Sequence, residues 1–237
     1  MKKEEVTAYI NGAYPSFDKN LLSIENQLLA LLDYYRFYQS DLFIAGDFRP
    51  GTIGRMISSV ICTRFFLNNT AEFIQSENWD NIFQKNYLPE PFKGNGYFGH
   101  FMDIDVQLRF SLFHQFYHQL ETTHRIICRT LNLTDHKKKP IERVNDITCS
   151  FSSEFIEFFE AVRNTIHNNG YYHPVGKHQR KEFTFELPPY SLTFKGNQKI
   201  ELGTEEILFT IKKLLENLKH MLMHNAIQKI EIIIDKN

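Results

Sequence analysis

Arg163 and His167 stand four residues apart in the run Arg163-Asn164-Thr165-Ile166-His167. The first keeps its charge at any physiological pH, and the second titrates near neutrality. Together they are a minimal kit for acid/base chemistry on a phosphodiester, in which the guanidinium holds phosphate oxygens and the imidazole moves protons. The other use of such a pair is structural, since cations in the last turn of a helix also answer its dipole and cap its carbonyls.

The residues before the pair decide how it is presented. Phe155, Phe159, Val162 and Ile166 recur at helical intervals, so residues from about Ser152 to Asn168 read as an amphipathic helix with Arg163 and His167 beside the buried stripe. Gly170 suits the left-handed position just past a helix end. Around the pair, Asn164, Asn168, Tyr171 and Tyr172 offer amides and phenols that could hold phosphate or stack a base. Positive charge is expected from Lys177, His178, Arg180 and Lys181, from Lys137-Lys138-Lys139, and from Arg125, Arg129 and Arg143. A lysine run also reads as a solvated loop, and the three arginines as partners in ion pairs.

The stretch Arg163–Gly170 resembles the motif of the HEPN superfamily, with Arg163, the polar neighbour Asn164, and His167 at the motif positions. The interval from Arg163 to His167 is shorter than the family's usual one. At the level of helix pattern the resemblance covers roughly residues 100 to 230. It implies a small helical bundle and a homodimer whose site is completed by dimerisation. It also implies RNA as ligand and endonuclease chemistry without metal or cofactor. Arg163 and His167 would be catalytic, with Asn164 orienting them. Asn168, Tyr171, Tyr172, Lys177 and Arg180 would bind substrate. The implied setting is bacterial stress or phage defence, with the chain a toxin held by an antitoxin protein. Other members are inert, so the alternative is a non-catalytic helical dimer acting as a binding or scaffold module.

The composition bounds these readings. A chain of 237 residues with 42% hydrophobic and 23% charged residues can bury a sizeable core. Its 22 phenylalanines and 11 tyrosines predict a core rich in rings. A net charge of −1 announces no global basic field, so RNA contact requires a local patch. Cys62, Cys128 and Cys149 have no close spacing and read as reduced thiols of a cytoplasmic protein. The start, Met1-Lys2-Lys3-Glu4-Glu5, has no apolar run of a secretory signal, and no stretch reads as a membrane span.

The expected architecture is mainly α, a helical bundle with a short β-hairpin inserted before the last helix. We divide it into an N-terminal helical region over 1–100, open to being part of the same bundle, and an HEPN-like helical domain over 101–237. Leu21 to Tyr35 predicts a helix starting near Ser16 or Asp18, and Gly46 with Arg49-Pro50-Gly51 a break. Thr52 to Leu67 predicts a second helix, with Ala71 to Phe83 a shorter continuation. Residues 86–100, with their prolines and glycines, read as loop, Asp103 to Leu133 as one long helix, and Thr134 to Pro140 as loop. Alternation over 182–202 predicts the hairpin. The final helix is expected from Thr204 toward Ile227, with Ile230 to Ile233 extending it or adding a strand.

Three histidine patterns open a metal reading: His114 with His118, His220 with His224, and Glu121-Thr122-Thr123-His124. A di-metal bundle normally carries the Glu-x-x-His motif twice, and only one copy is present. Surface or hydrogen-bonded histidines are the plainer account. Gly94-Asn95-Gly96 lacks the flanking strand and third glycine of a nucleotide fingerprint, and no Walker lysine or nucleophile elbow appears.

Overall fold

The computed structural model describes residues 3–76, 96–168, 170–174, 181–187 and 190–233. Among them are eight helices: α1 (Lys3–Tyr38), α2 (Ser40–Ile44), α3 (Phe48–Gln75), α4 (Gly96–Thr130), α5 (Pro140–Thr148), α6 (Ser153–His167), α7 (Thr204–Leu222) and α8 (Asn225–Gln228). The protein is mainly α, with a β-hairpin between α6 and α7. Helix α1 packs on α3, α3 on α4, and both α1 and α4 on α7. Buried side chains from Val6 to Ile233 form one continuous cluster.

Several boundaries differ from the sequence expectation, each for a local reason. Helix α1 begins at Lys3 and runs through Pro15, which has no N–H to donate. Val6, Ile10, Tyr14 and Phe17 are all buried at helical spacing, so the packed stripe starts well before the leucine-rich run. Arg49-Pro50-Gly51 opens α3 instead of breaking the chain. The Asp47 carboxylate caps the helix by accepting from the Arg49 backbone N–H at 2.8 Å, and Pro50 sits in the first turn, where its missing donor costs nothing. Residues 96–100, expected as loop, are the first turn of α4. The expected loop at 86–95 and the continuation at 77–83 lie outside the described residues.

Helix α5 has no counterpart in the expectation. Pro140 supplies its first helical position, and the Glu142 carboxylate accepts from the Lys139 N–H at 2.6 Å. Helix α7 stops at Leu222, short of the expected Ile227. His224 Nδ1 then accepts from the Ala226 N–H at 3.2 Å and starts α8. Residues 230–233 are neither helix nor strand; their backbone is used by α3 instead. Arg49 and Asp47 are both fully buried and bonded to each other at 2.7 Å. The Arg49 guanidinium also donates to the carbonyls of Ile227 at 2.7 Å and Ile230 at 3.0 Å, and Asp47 accepts from the Ile233 N–H at 2.6 Å.

The hairpin pairs β2 (Glu182–Leu187) with β3 (Tyr190–Lys195) antiparallel, Phe183 opposite Phe194 and Phe185 opposite Leu192. A second small ladder joins β1 (Tyr171–Tyr172) to β4 (Gln198–Lys199). The hairpin's apolar face closes over α6, where Phe158 stacks on Phe185 with ring centroids 4.2 Å apart. Phe159 on the other side of α6 meets Phe113 at 5.6 Å and Tyr117 at 5.1 Å on α4. This ring-filled seam holds α6 between the hairpin and the long helix.

Candidate functional site

Helix α6 is fixed at both ends. Ser152 Oγ caps it by accepting from the Phe155 N–H at 3.1 Å. Gly170, at φ +92°, turns the chain out, and its N–H donates to the Thr165 carbonyl at 2.9 Å. Between these ends, Phe159, Arg163 and His167 succeed one another at one-turn intervals on the side facing α4. The partners on α4 run the opposite way. Tyr117 meets Phe159 and Arg163, and His114 meets His167, so the two helices are antiparallel here.

The Arg163 guanidinium lies over the Tyr117 ring, 5.3 Å from its centroid, and its Nε has no hydrogen-bond partner. Among the described residues Arg163 makes no ion pair. The ring contact accommodates the cation without neutralising it. Its neighbour Glu160 is engaged by Lys139 of the preceding loop. The imidazoles of His114 and His167 face each other with centroids 4.4 Å apart. His167 is exposed and His114 half-buried.

Both imidazoles are held below the ordinary histidine range. For His114 the largest cause is burial, followed by His167 and then Arg163; for His167 it is burial, then Arg163. The helix dipole favours a cation at His167, but the desolvation of the ring and the nearby guanidinium outweigh it. Burial pushes the Tyr117 phenol up to about 12, so it stays protonated. The cluster is thus a guanidinium with no ion-pair partner among the described residues, two imidazoles whose titration is pushed below the usual histidine value, and a phenol. Such a set can hold an anionic oxygen and accept a proton beside it.

The other expected site residues fall into different places. Asn164 is buried at 5% exposure and its amide donates to the His173 carbonyl, while Asn168 donates to the Asn164 carbonyl at 2.7 Å and its side-chain oxygen at 2.6 Å. These two amides tie the end of α6 to the chain that follows. Tyr172, 1% exposed, packs on Phe183 and Phe194 in the aromatic core. Tyr171 is 46% exposed and stacks on His173, so it is the phenol of the two with a free face. Lys177 and Arg180, with His178, lie outside the described residues.

The lysine run is largely spent in ion pairs, Lys138 with Asp146 and Lys139 with Glu160. Of the metal-pattern histidines, His124 is buried with Nδ1 donating to the Leu120 carbonyl at 2.7 Å, and His224 caps α8. His114, a metal candidate beside His118 by its spacing, instead faces His167. Tyr117 joins them from α4 with no motif or spacing in the sequence to mark it. Comparison of the chain with protein-family models, with curated proteins and with solved structures gives no match.

Proposed function

We propose that the chain is an HEPN-like, RNA-binding homodimer that cleaves RNA without metal. The observation that carries this reading is Arg163, without an ion-pair partner among the described residues, set one turn from His167, whose imidazole faces that of His114 at 4.4 Å, with both imidazoles pushed below the usual histidine value. In the reaction, one imidazole takes the proton of a ribose 2′-hydroxyl as that oxygen attacks the adjacent phosphorus. The bond from phosphorus to the 5′-oxygen breaks, and the imidazolium returns the proton to the leaving oxygen. The products are a 2′,3′-cyclic phosphate and a 5′-hydroxyl, and no water or cofactor is consumed. Arg163 stabilises the extra charge on the phosphoryl oxygens in the transition state. In the homodimer of this reading, a second copy of the same cluster flanks the scissile bond. The setting that goes with this reading is a stress or phage-defence toxin held by an antitoxin.

A second reading has its own support. Asn164, the polar motif residue, is occupied by the His173 carbonyl and Asn168, which suits a non-catalytic binding or scaffold module. Incubation of purified protein with RNA in EDTA separates the two. Wild type should cleave, and Arg163→Ala, His167→Ala and His114→Ala should each lose about 100-fold or more in rate. A wild type that binds RNA but leaves it intact selects the binding module.

A further inference from the structure

We propose that two adjoining grooves along α4 form a second, non-catalytic site that grips the phosphodiester backbone of a single RNA strand entering or leaving the His114–His167 centre. One groove, of about 360 Å³, is lined by Arg55, His118, Arg125 and Arg129 together with neutral side chains. The next, of about 510 Å³, shares Arg125 and Arg129 and adds His136 and Arg143. Among the described residues lining them there is no aspartate or glutamate. In a chain whose charges nearly cancel, four arginines and two histidines gathered without a lining carboxylate make the local basic patch that a polyanion requires.

The arginines are mostly uncommitted to acids. Arg125 pairs with Glu121 at 2.7 Å, an exposed pair that a stronger anion can displace at little cost. Among the described residues, Arg55, Arg129 and Arg143 have no carboxylate partner. Instead Arg55 is aimed by Gln119 at 2.7 Å and by the Phe48 ring at 4.6 Å, and Arg143 by the Leu133 carbonyl at 2.5 Å. Arg143 Nε has no partner. Neutral acceptors and a ring orient these guanidinium groups without cancelling their charge.

Their placement points to the strand that the catalytic centre would need. His114, His118, Arg125 and Arg129 succeed one another at steps of four, seven and four residues, which keeps them on one side of α4. His118 is therefore about 6 Å along the helix from His114, and Arg129 about 22 Å. Thr122 and Gln119 in the first groove and Asn132 and Thr134 in the second add neutral hydrogen-bonding groups between the cations. A linear array of this kind suits an extended backbone with regularly spaced phosphates. The inference takes the identity of the polyanion from the RNA reading above; the charge of the grooves does not depend on it.

Fluorescence anisotropy with a fluorescein-labelled oligouridine, in EDTA and over a salt series, tests the proposal. Arg55→Gln/Arg129→Gln should bind about tenfold or more weakly, and its slope of log affinity against log salt should fall in magnitude by about 1.4 for two lost contacts. Arg129→Gln alone, at an exposed position, should show about half that change in slope, while Arg129→Lys should bind within about twofold of wild type. Circular dichroism checks that each variant is folded. Unchanged affinity and slope in both glutamine variants overturn the proposal, and cleavage by wild type in that case leaves the nuclease reading standing. Groove-dependent binding without cleavage does the reverse. A wild type that ignores oligouridine but binds polyglutamate overturns the assignment to RNA.

Discussion

His114 and His167 reach each other from antiparallel helices, with ring centroids 4.4 Å apart, and Arg163 stands one turn before the second of them. This arrangement sets their protonation. Each imidazole is desolvated, and each feels the same guanidinium, so both titrate lower than a free histidine.

Removing the guanidinium should raise both values. In Arg163→Gln, the ring-proton resonances of His114 and His167 should titrate at higher pH than in wild type while staying displaced by the burial that remains. Nuclear magnetic resonance titration measures this directly, whether or not RNA is cleaved. Unmoved midpoints would mean that Arg163 does not share the cluster in solution.

If the chain cleaves RNA, the acid limb of its pH-rate profile should fall below pH 6.5, because the base form of a depressed imidazole persists to lower pH. Arg163→Gln should move that limb upward as it lowers the rate. A limb that stays put would assign the titrating group elsewhere.

His124 governs stability rather than chemistry. Burial pushes it down to about 4 from an ordinary 6.5. The unfolded chain therefore takes up the proton first as pH falls. The stability this residue contributes is present in full above pH 6.5 and is lost on descending to about pH 4, on the order of 3 kcal/mol. Urea unfolding at a series of pH values should show that slope, and His124→Leu should flatten it. An equal slope in the variant would place the titration in other groups.

The pair Asp47 and Arg49 should be intolerant of single changes. Both side chains are fully buried, so Asp47→Asn or Arg49→Met strands a partner that cannot reach water and should cost about 3–5 kcal/mol in denaturant melts. A cost below about 1 kcal/mol would place the pair with exposed ion pairs.

Asn164 distinguishes structure from catalysis within the motif. Its amide anchors the His173 carbonyl, so Asn164→Ala should lose about 1–3 kcal/mol of stability through the acceptor left unpaired. The His114 and His167 titrations should survive in the folded protein. Loss of those titrations with stability unchanged would reverse the assignment.

The helical character, the hairpin and the motif helix were legible in the sequence because they rest on local periodicity and turn residues. Phe155, Phe159, Val162 and Ile166 marked α6 nearly to its ends. Boundaries set by tertiary partners were not legible. Arg49-Pro50-Gly51 looks like a break until Asp47 is seen capping the helix, and the 230–233 segment has no local preference because its backbone serves Arg49 and Asp47. The candidate site was half visible. Arg163 and His167 share one helix, whereas His114 and Tyr117 come from another and are joined to them only by the ring-filled seam between α4 and α6. No spacing rule within one segment records such a pairing. Tyr172 misled for the converse reason: two adjacent tyrosines on a strand point to opposite faces, and one had to go inside.

The acceptors that receive the Arg49 guanidinium lie 178 and 181 residues downstream. During translation the first turn of α3 is made long before them, so this cation must wait in water while most of the polypeptide is synthesised. Complete burial of the Arg49 guanidinium is thereby deferred to a late stage of biosynthesis. A ribosome halted before Ile227 would carry an immature product, with a hydrated charge where the finished protein keeps a dry one.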